Sequence, residues 1–178
     1  MREIFETNFF GALRTVRAVL PHMREKKAGT IVNVSSLAGV VAPPFDGIYS
    51  ASKFALEAAS EALYYEAHPF GIRVLLIEPG GFETSFGDAR RIPRRFGEGS
   101  PYAEQEQRFE QALTKLPTGG ERGDAQVVAE TIYNAVYDDE PKLRYLVGQD
   151  AEMIGGLRQQ LDDEQFEKTI RQALDFWD

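Results

Sequence analysis

No cysteine occurs among the 178 residues, which excludes disulfides, thiolate nucleophiles and cysteine-held metals. Histidine is nearly as scarce. His22 and His68 are too isolated along the chain to build a metal cluster, and near helix ends they read as caps or surface residues, so no metal site is expected and any cofactor should be organic. Positive charge is outnumbered, 20 Lys and Arg against 28 Asp and Glu, and the net charge of −8 leaves no basic stripe for a phosphate backbone and would repel an anionic membrane. Neither nucleic acid nor a membrane is an expected partner. Long hydrophobic runs are lacking too: no stretch reaches membrane-spanning length, and Glu3, Glu6, Arg14 and Arg17 interrupt the opening segment in a way a secretory leader would not tolerate. The default expectation is a cytoplasmic location.

What is present is enough for one domain with a core, since 43% of the residues are hydrophobic. Ile4, Phe5, Phe9, Leu13, Val16, Leu20 and Met23 recur at three- and four-residue steps, which predicts a long amphipathic helix running to about Lys26. Ala28-Gly29 ends it, and the β-branched run from Thr30 to Val34 predicts a buried strand bounded by Ser35-Ser36. A loop of turn formers, residues 39–47 with Pro43-Pro44, leads to a second helix from about Tyr49 to Ala67, closed by His68-Pro69 and Gly71. Ile72 to Ile77 predicts another strand, with Glu78-Pro79-Gly80-Gly81 as the turn that leaves it.

Beyond that turn the pattern is least regular. A polar-faced surface helix is expected from Ala103 to Leu116 between two mobile loops, then a helix capped at Gly123-Asp124 with Val127, Val128, Ile132, Ala135 and Val136 on one stripe. A short strand, Arg144 to Val147, and two helices, 151–160 and 163–176, complete the chain; the acidic run from Asp162 to Glu167 reads as a solvated face. Strands alternating with long helices predict the α/β class, a parallel sheet of about three strands with right-handed crossovers and flanking helices.

Chemistry is concentrated near the carboxyl ends of those strands, where ligands gather in sheets of this kind. Tyr49 and Lys53 stand four positions apart at the start of a helix, so they share a face and the ammonium can favour an ionised phenol. Chance alone can supply one such spacing. Ser36 directly after the first strand, and Pro79, Gly80 and Thr84 after the second, can converge on the same crevice, and convergence raises the pair above accident. Each residue also has a plainer reading: Ser36 as a strand end or turn cap, Lys53 as a solvated helix residue, and Asn8 as a buried polar group in a helix where asparagine is a poor former.

Asn8 in Thr-Asn-Phe-Phe-Gly, Ile-Val-Asn-Val-Ser-Ser ending at Ser36, Tyr49-Ser-Ala-Ser-Lys53 and Pro79-Gly-Gly-Phe-Glu-Thr84 together resemble the short-chain dehydrogenase/reductase family over about residues 1–85. The segments around Pro44-Phe45, residues 51–56 and residues 68–71 look most like its hydroxysteroid and retinol branch. The resemblance implies a partial doubly wound Rossmann-type sheet and an NAD(P)-dependent oxidoreductase that interconverts a carbonyl and a secondary alcohol. On this implication Tyr49 is the general acid/base, Ser36 an oxyanion-type donor, Lys53 a group that lowers the Tyr49 pKa and holds the cofactor ribose, and Asn8 a relay residue on the Lys53 side. Thr84 would bind the nicotinamide amide, while Pro79-Gly80 would let backbone approach the ring. The catalytic set is then Asn8, Ser36, Tyr49 and Lys53, and the cofactor set Tyr49, Lys53, Pro79, Gly80 and Thr84.

The same resemblance divides the chain into a catalytic core (1–85), a substrate-loop region (86–120) whose Phe86, Phe96, Tyr102 and Phe109 close over an apolar small-molecule substrate or pack as a lid, and a C-terminal part (121–178). It implies a homodimer or homotetramer through helices at 1–26 and 49–67. The family's opening βαβαβ half, with its glycine-rich pyrophosphate turn and the residue choosing NAD or NADP, has no counterpart in the sequence, so the cofactor site is expected to be incomplete. Thr118-Gly119-Gly120-Glu121-Arg122-Gly123-Asp124-Ala125 imitates such a turn but follows Pro117 and a polar helix where a strand is required. Two readings stay open: the catalytic half of a reductase, and a non-catalytic remnant serving as a dimerising or binding module.

Overall fold

A computed structural model describes residues 1–86, 99–116 and 122–175. The first predicted helix is there, in three parts: α1 (Arg2–Phe5), a π-helical turn (Glu6–Gly11) and α2 (Ala12–Lys26). The wide turn falls where Asn8 and Gly11 weaken the α-helical register. Lys27, in the left-handed region at φ 52°, ends α2 and turns the chain into β1 (Gly29–Val34). Gly29 is a close-approach position, because a Cβ there would meet the Met23 side chain at 2.5 Å.

A single 3₁₀ turn (Leu37–Gly39) separates β1 from the loop before α3 (Gly47–Ala67). A second 3₁₀ turn (His68–Phe70), closed by Gly71 at φ 68°, delivers β2 (Ile72–Pro79). This is a correction to the sequence reading, which placed Glu78 and Pro79 in the exit turn; both belong to the strand, and Glu78 is buried. Then follow α4 (Ala103–Leu113), α5 (Ala125–Tyr137), β3 (Arg144–Val147), α6 (Gln149–Gln160) and α7 (Asp163–Leu174).

The three strands are parallel in the order β1-β2-β3, with β2 in the middle, so the architecture is the expected α/β sheet with flanking helices. β2 is buried almost throughout because it has a strand on each side and helices on both faces. Ile72 and Val74 project to the side where α2 and α3 lie and form a core with Val16, Ile31 and Ala67. On the opposite side the Arg73 guanidinium donates to Thr30 Oγ1 at 2.9 Å and to the Val136 and Asp138 carbonyls at 2.8 and 2.9 Å, tying β1 and β2 to the end of α5. Asp124 caps α5 through the Gln126 amide as expected, but Val127 is exposed and drops out of the buried stripe.

α4 is less of a surface helix than its polarity suggested. Phe109 and Ala112 are buried against Leu174 and Ile170 of α7, and Phe45 from the loop before α3 packs on the same cluster. The acidic start of α7 is a capping box: Asp162 accepts from the Gln165 amide while Gln165 reaches back to the Asp162 amide.

Candidate active site

α3 carries small side chains at several of its buried positions. Ser50, Ser52 and Ser60 are all buried, and Gly39, opposite, leaves no room for a Cβ, which would lie 2.7 Å from Ser35 Oγ and 3.1 Å from Glu57 Cγ. Ser60 Oγ accepts a hydrogen bond from Asn33 of β1 at 2.8 Å, pinning helix to strand. That contact fixes which residues of α3 stand at the carboxyl end of β1.

Tyr49 and Ser36 are brought together there, near enough for the serine hydroxyl to act on the phenol's proton affinity. Ser36 is held on its own side by two further contacts: its Oγ accepts from the Ala38 amide at 3.1 Å and lies 3.4 Å from the Pro79 carbonyl oxygen, to which it donates. The plainer reading of Ser36 as a turn cap is therefore true and compatible with its facing Tyr49. Burial pushes the Tyr49 phenol above its ordinary pKa, the Ser36 hydroxyl pulls against this, and the Asp46 charge adds to the rise.

Lys53 does not produce the expected lowering. Its Nζ sits over the Tyr49 ring, 5.8 Å from the centroid, and donates to the Val34 carbonyl oxygen at 3.0 Å, so it is directed at backbone and ring face. Burial lowers the Lys53 pKa, while the Glu57 carboxylate one helical turn on raises it.

Asn8, on the π-helical turn, donates through Nδ2 to Ser52 Oγ at 3.1 Å, and Ser52 donates onward to the Tyr49 carbonyl oxygen at 2.7 Å. Asn8 thus joins the site through the backbone of Tyr49. Ser52 is a positioning residue that residue-type reasoning passed over; its signal was the second serine of Tyr49-Ser-Ala-Ser-Lys53, too small and polar for an inward helix position without a partner.

The turn after β2 is held from an unexpected direction. The Gly80 amide donates to the Val147 carbonyl at 3.0 Å, and the Gly81 amide donates to Asp150 Oδ2 at 2.7 Å. A Cβ on Gly80 would collide with the Asp150 carboxylate, so glycine is required for this close approach. Nothing in the sequence pattern marked Asp150, because its partner is a backbone amide 69 residues away. Thr84 stands exposed, its Oγ1 accepting from the Phe86 amide at 3.2 Å. Phe86 itself lies against Tyr49 with ring centroids 5.3 Å apart. Phe109 belongs to the α4–α7 core and Tyr102 is exposed, whereas Phe96 and the glycines of 118–121 lie outside the described residues. His22 and His68 are exposed, and among the described residues no group of three or more His, Cys, Asp or Glu is placed to hold a metal.

Residues 1–94 match the family described as short chain dehydrogenase. The chain belongs to that family. An uncharacterized oxidoreductase of Schizosaccharomyces pombe is 36% identical over 178 residues, covering 98% of this chain and 72% of the yeast protein. A 3-ketodihydrosphingosine reductase of Bacteroides thetaiotaomicron is 51% identical over 98 residues, 55% of this chain and 36% of that one. Among solved structures, a short chain dehydrogenase/reductase from Burkholderia phymatum in complex with NAD superposes with a TM-score of 0.66 at 26% identity, over 93% of this chain and 58% of its own. The chain therefore spans from about a third to about three quarters of the length of these proteins.

Proposed function

We propose that this chain carries the proton-transfer end of an NAD(P)-dependent oxidoreductase interconverting a carbonyl and a secondary alcohol. The observation that carries the reading is the Tyr49 phenol placed beside Ser36, with the Lys53 ammonium next to the same ring at the carboxyl ends of β1 and β2. A phenol, a hydroxyl and an ammonium suit the ribose and carboxamide end of a nicotinamide cofactor, so the residues present fit that part of the group. When bound, the cofactor supplies or takes the hydride.

The chain's own residues handle the proton. In the reducing direction Tyr49 Oη donates to the carbonyl oxygen as charge develops there, and Ser36 Oγ donates a hydrogen bond to the same atom. Because burial keeps the phenol protonated, Tyr49 rests in the form that reduction needs. Lys53 offers its ammonium to the cofactor ribose, and Asn8 and Ser52 hold the backbone of Tyr49 in place. Thr84 and the Pro79-Gly80 turn, held by Asp150, contribute to the nicotinamide side, and Phe86 covers Tyr49 from water.

An apolar substrate is favoured by the Phe86 and Tyr49 rings, and is consistent with the 3-ketodihydrosphingosine reductase among the relatives. Exposed Phe10, Phe54 and Tyr65 support self-association through the helices within 1–26 and 49–67. No helix of the described residues is long and apolar enough to cross a membrane. The test is turnover of a panel of apolar ketones by the full polypeptide that the coding DNA specifies, with NADH or NADPH. We expect turnover that Ser36→Ala lowers about 10²–10³-fold. No oxidation of either cofactor across the panel would favour the non-catalytic remnant.

A further inference from the structure

Beneath Lys53 lies a second group of charges that the mechanism does not use. Glu57 of α3 and Glu78 of β2 are both buried, Glu78 completely, and Arg144 of β3 reaches between them. The guanidinium donates to Glu57 Oε2 at 3.1 Å and to Glu61 Oε2 at 2.5 Å, and its Nε lies 3.3 Å from Glu78 Oε1. Three carboxylate oxygens, Glu57 Oε1 and both of Glu78, are then buried with no hydrogen-bond donor among the described residues. Burying carboxylate oxygens without hydrogen bonds is strongly unfavourable, and one ion-pair contact to Arg144 does not offset it, so the arrangement is short of one proton.

Charge counting agrees. Lys53, Glu57, Glu61, Glu78 and Arg144 carry one excess negative charge if every group is ionised, and sum to zero if one proton is retained. Other neighbours do not change this. β1 and the 37–39 turn bring no charged side chain, Asp150 is committed to the Gly81 amide, and Arg73 with Glu130 of α5 lies across the sheet.

We propose that Glu78 keeps a proton, held between Glu57 and Arg144, and that the Glu57 carboxylate is the counter-charge that keeps Lys53 protonated. Glu57 and Glu78 are thus positioning residues. Burial, reinforced by the Glu57 charge and opposed by Arg144, pushes the Glu78 carboxyl up to about 8, in the direction the orphaned oxygens demand. The value of the pair to catalysis rests on the role proposed for Lys53, but its protonation does not, so the two ideas fail separately.

The experiment uses the 178-residue chain without substrate or cofactor. At neutral pH we expect the infrared carbonyl stretch of a protonated carboxylic acid, absent from Glu78→Gln, whose neutral amide replaces the protonated acid at equal size. A spectrum without that band, or a band that survives Glu78→Gln, overturns the proton on Glu78. The second readout is the Lys53 titration followed by its ε-carbon resonance, assigned with Lys53→Arg. Glu57→Gln should lower the Lys53 midpoint and Glu78→Gln should not; an unmoved midpoint in Glu57→Gln overturns the counter-charge role.

Discussion

The two ends of the sheet are built on opposite rules. At the amino end of the strands, Ile31, Ile72 and Val74 meet Val16 and Ala67 in an apolar core that asks only for shape and volume. At the carboxyl end, the same helix and strands bury Ser35, Ser50, Ser52, Glu57 and Glu78, and several of these polar atoms lack partners. One end is optimised for burial; the other tolerates unpaired polar groups that an apolar core would reject. Stability and chemistry are thus divided along the length of β2 and α3, so substitutions at the two ends should separate the two properties.

The largest separation is expected at the extremes. Ile72→Ala should destabilise the fold by about 2–5 kcal/mol through cavity formation, read as a lowered denaturant midpoint, while leaving the Tyr49 geometry intact in the molecules that stay folded. At the other end, removing Glu78's ability to ionise should make the protein sturdier in alkali. The sign follows from its raised pKa: the folded state keeps the proton up to about 8, the unfolded state releases it near 4.5, so stability falls as pH rises between those values and levels off above them. In Glu78→Gln that fall should largely vanish, and thermal unfolding across the window would show it. Parallel curves for parent and variant would erase the distinction drawn for this end of the sheet.

A smaller effect tests whether the polar contacts hold the site in place. Asn8→Ala removes the donor to Ser52 and should cost about 0.5–1.5 kcal/mol of stability, with a larger proportional loss in turnover because Ser52 grips the Tyr49 carbonyl. Asp162→Ala lies outside both ends; losing the capping box should cost about 1 kcal/mol and leave turnover untouched.

The apolar end was readable from the chain almost to the residue, because helix and strand periodicities report burial directly: β3 was placed at Arg144–Val147, and α3 began two residues earlier than expected, at Gly47. The polar end was readable as residue types and spacings. Tyr49, Ser36, Lys53 and Asn8 do gather, but what each touches depended on three-dimensional partners. Lys53 turned to a backbone carbonyl, Asn8 found Ser52, and Asp150 took the Gly81 amide. Glu78 was misread because a glutamate before Pro-Gly-Gly has the composition of a turn; only Arg144 from β3 makes its burial in the strand intelligible.

The central claim is that Tyr49 serves chemistry and contributes little to folding. Its most direct test is Tyr49→Phe in the full polypeptide, with carbonyl reduction and thermal unfolding measured on the same preparation. We expect reduction to fall by about 10²–10⁴-fold, with the unfolding midpoint nearly unchanged. Retained turnover would remove Tyr49 from the mechanism, and a matching collapse in stability would make it a structural residue.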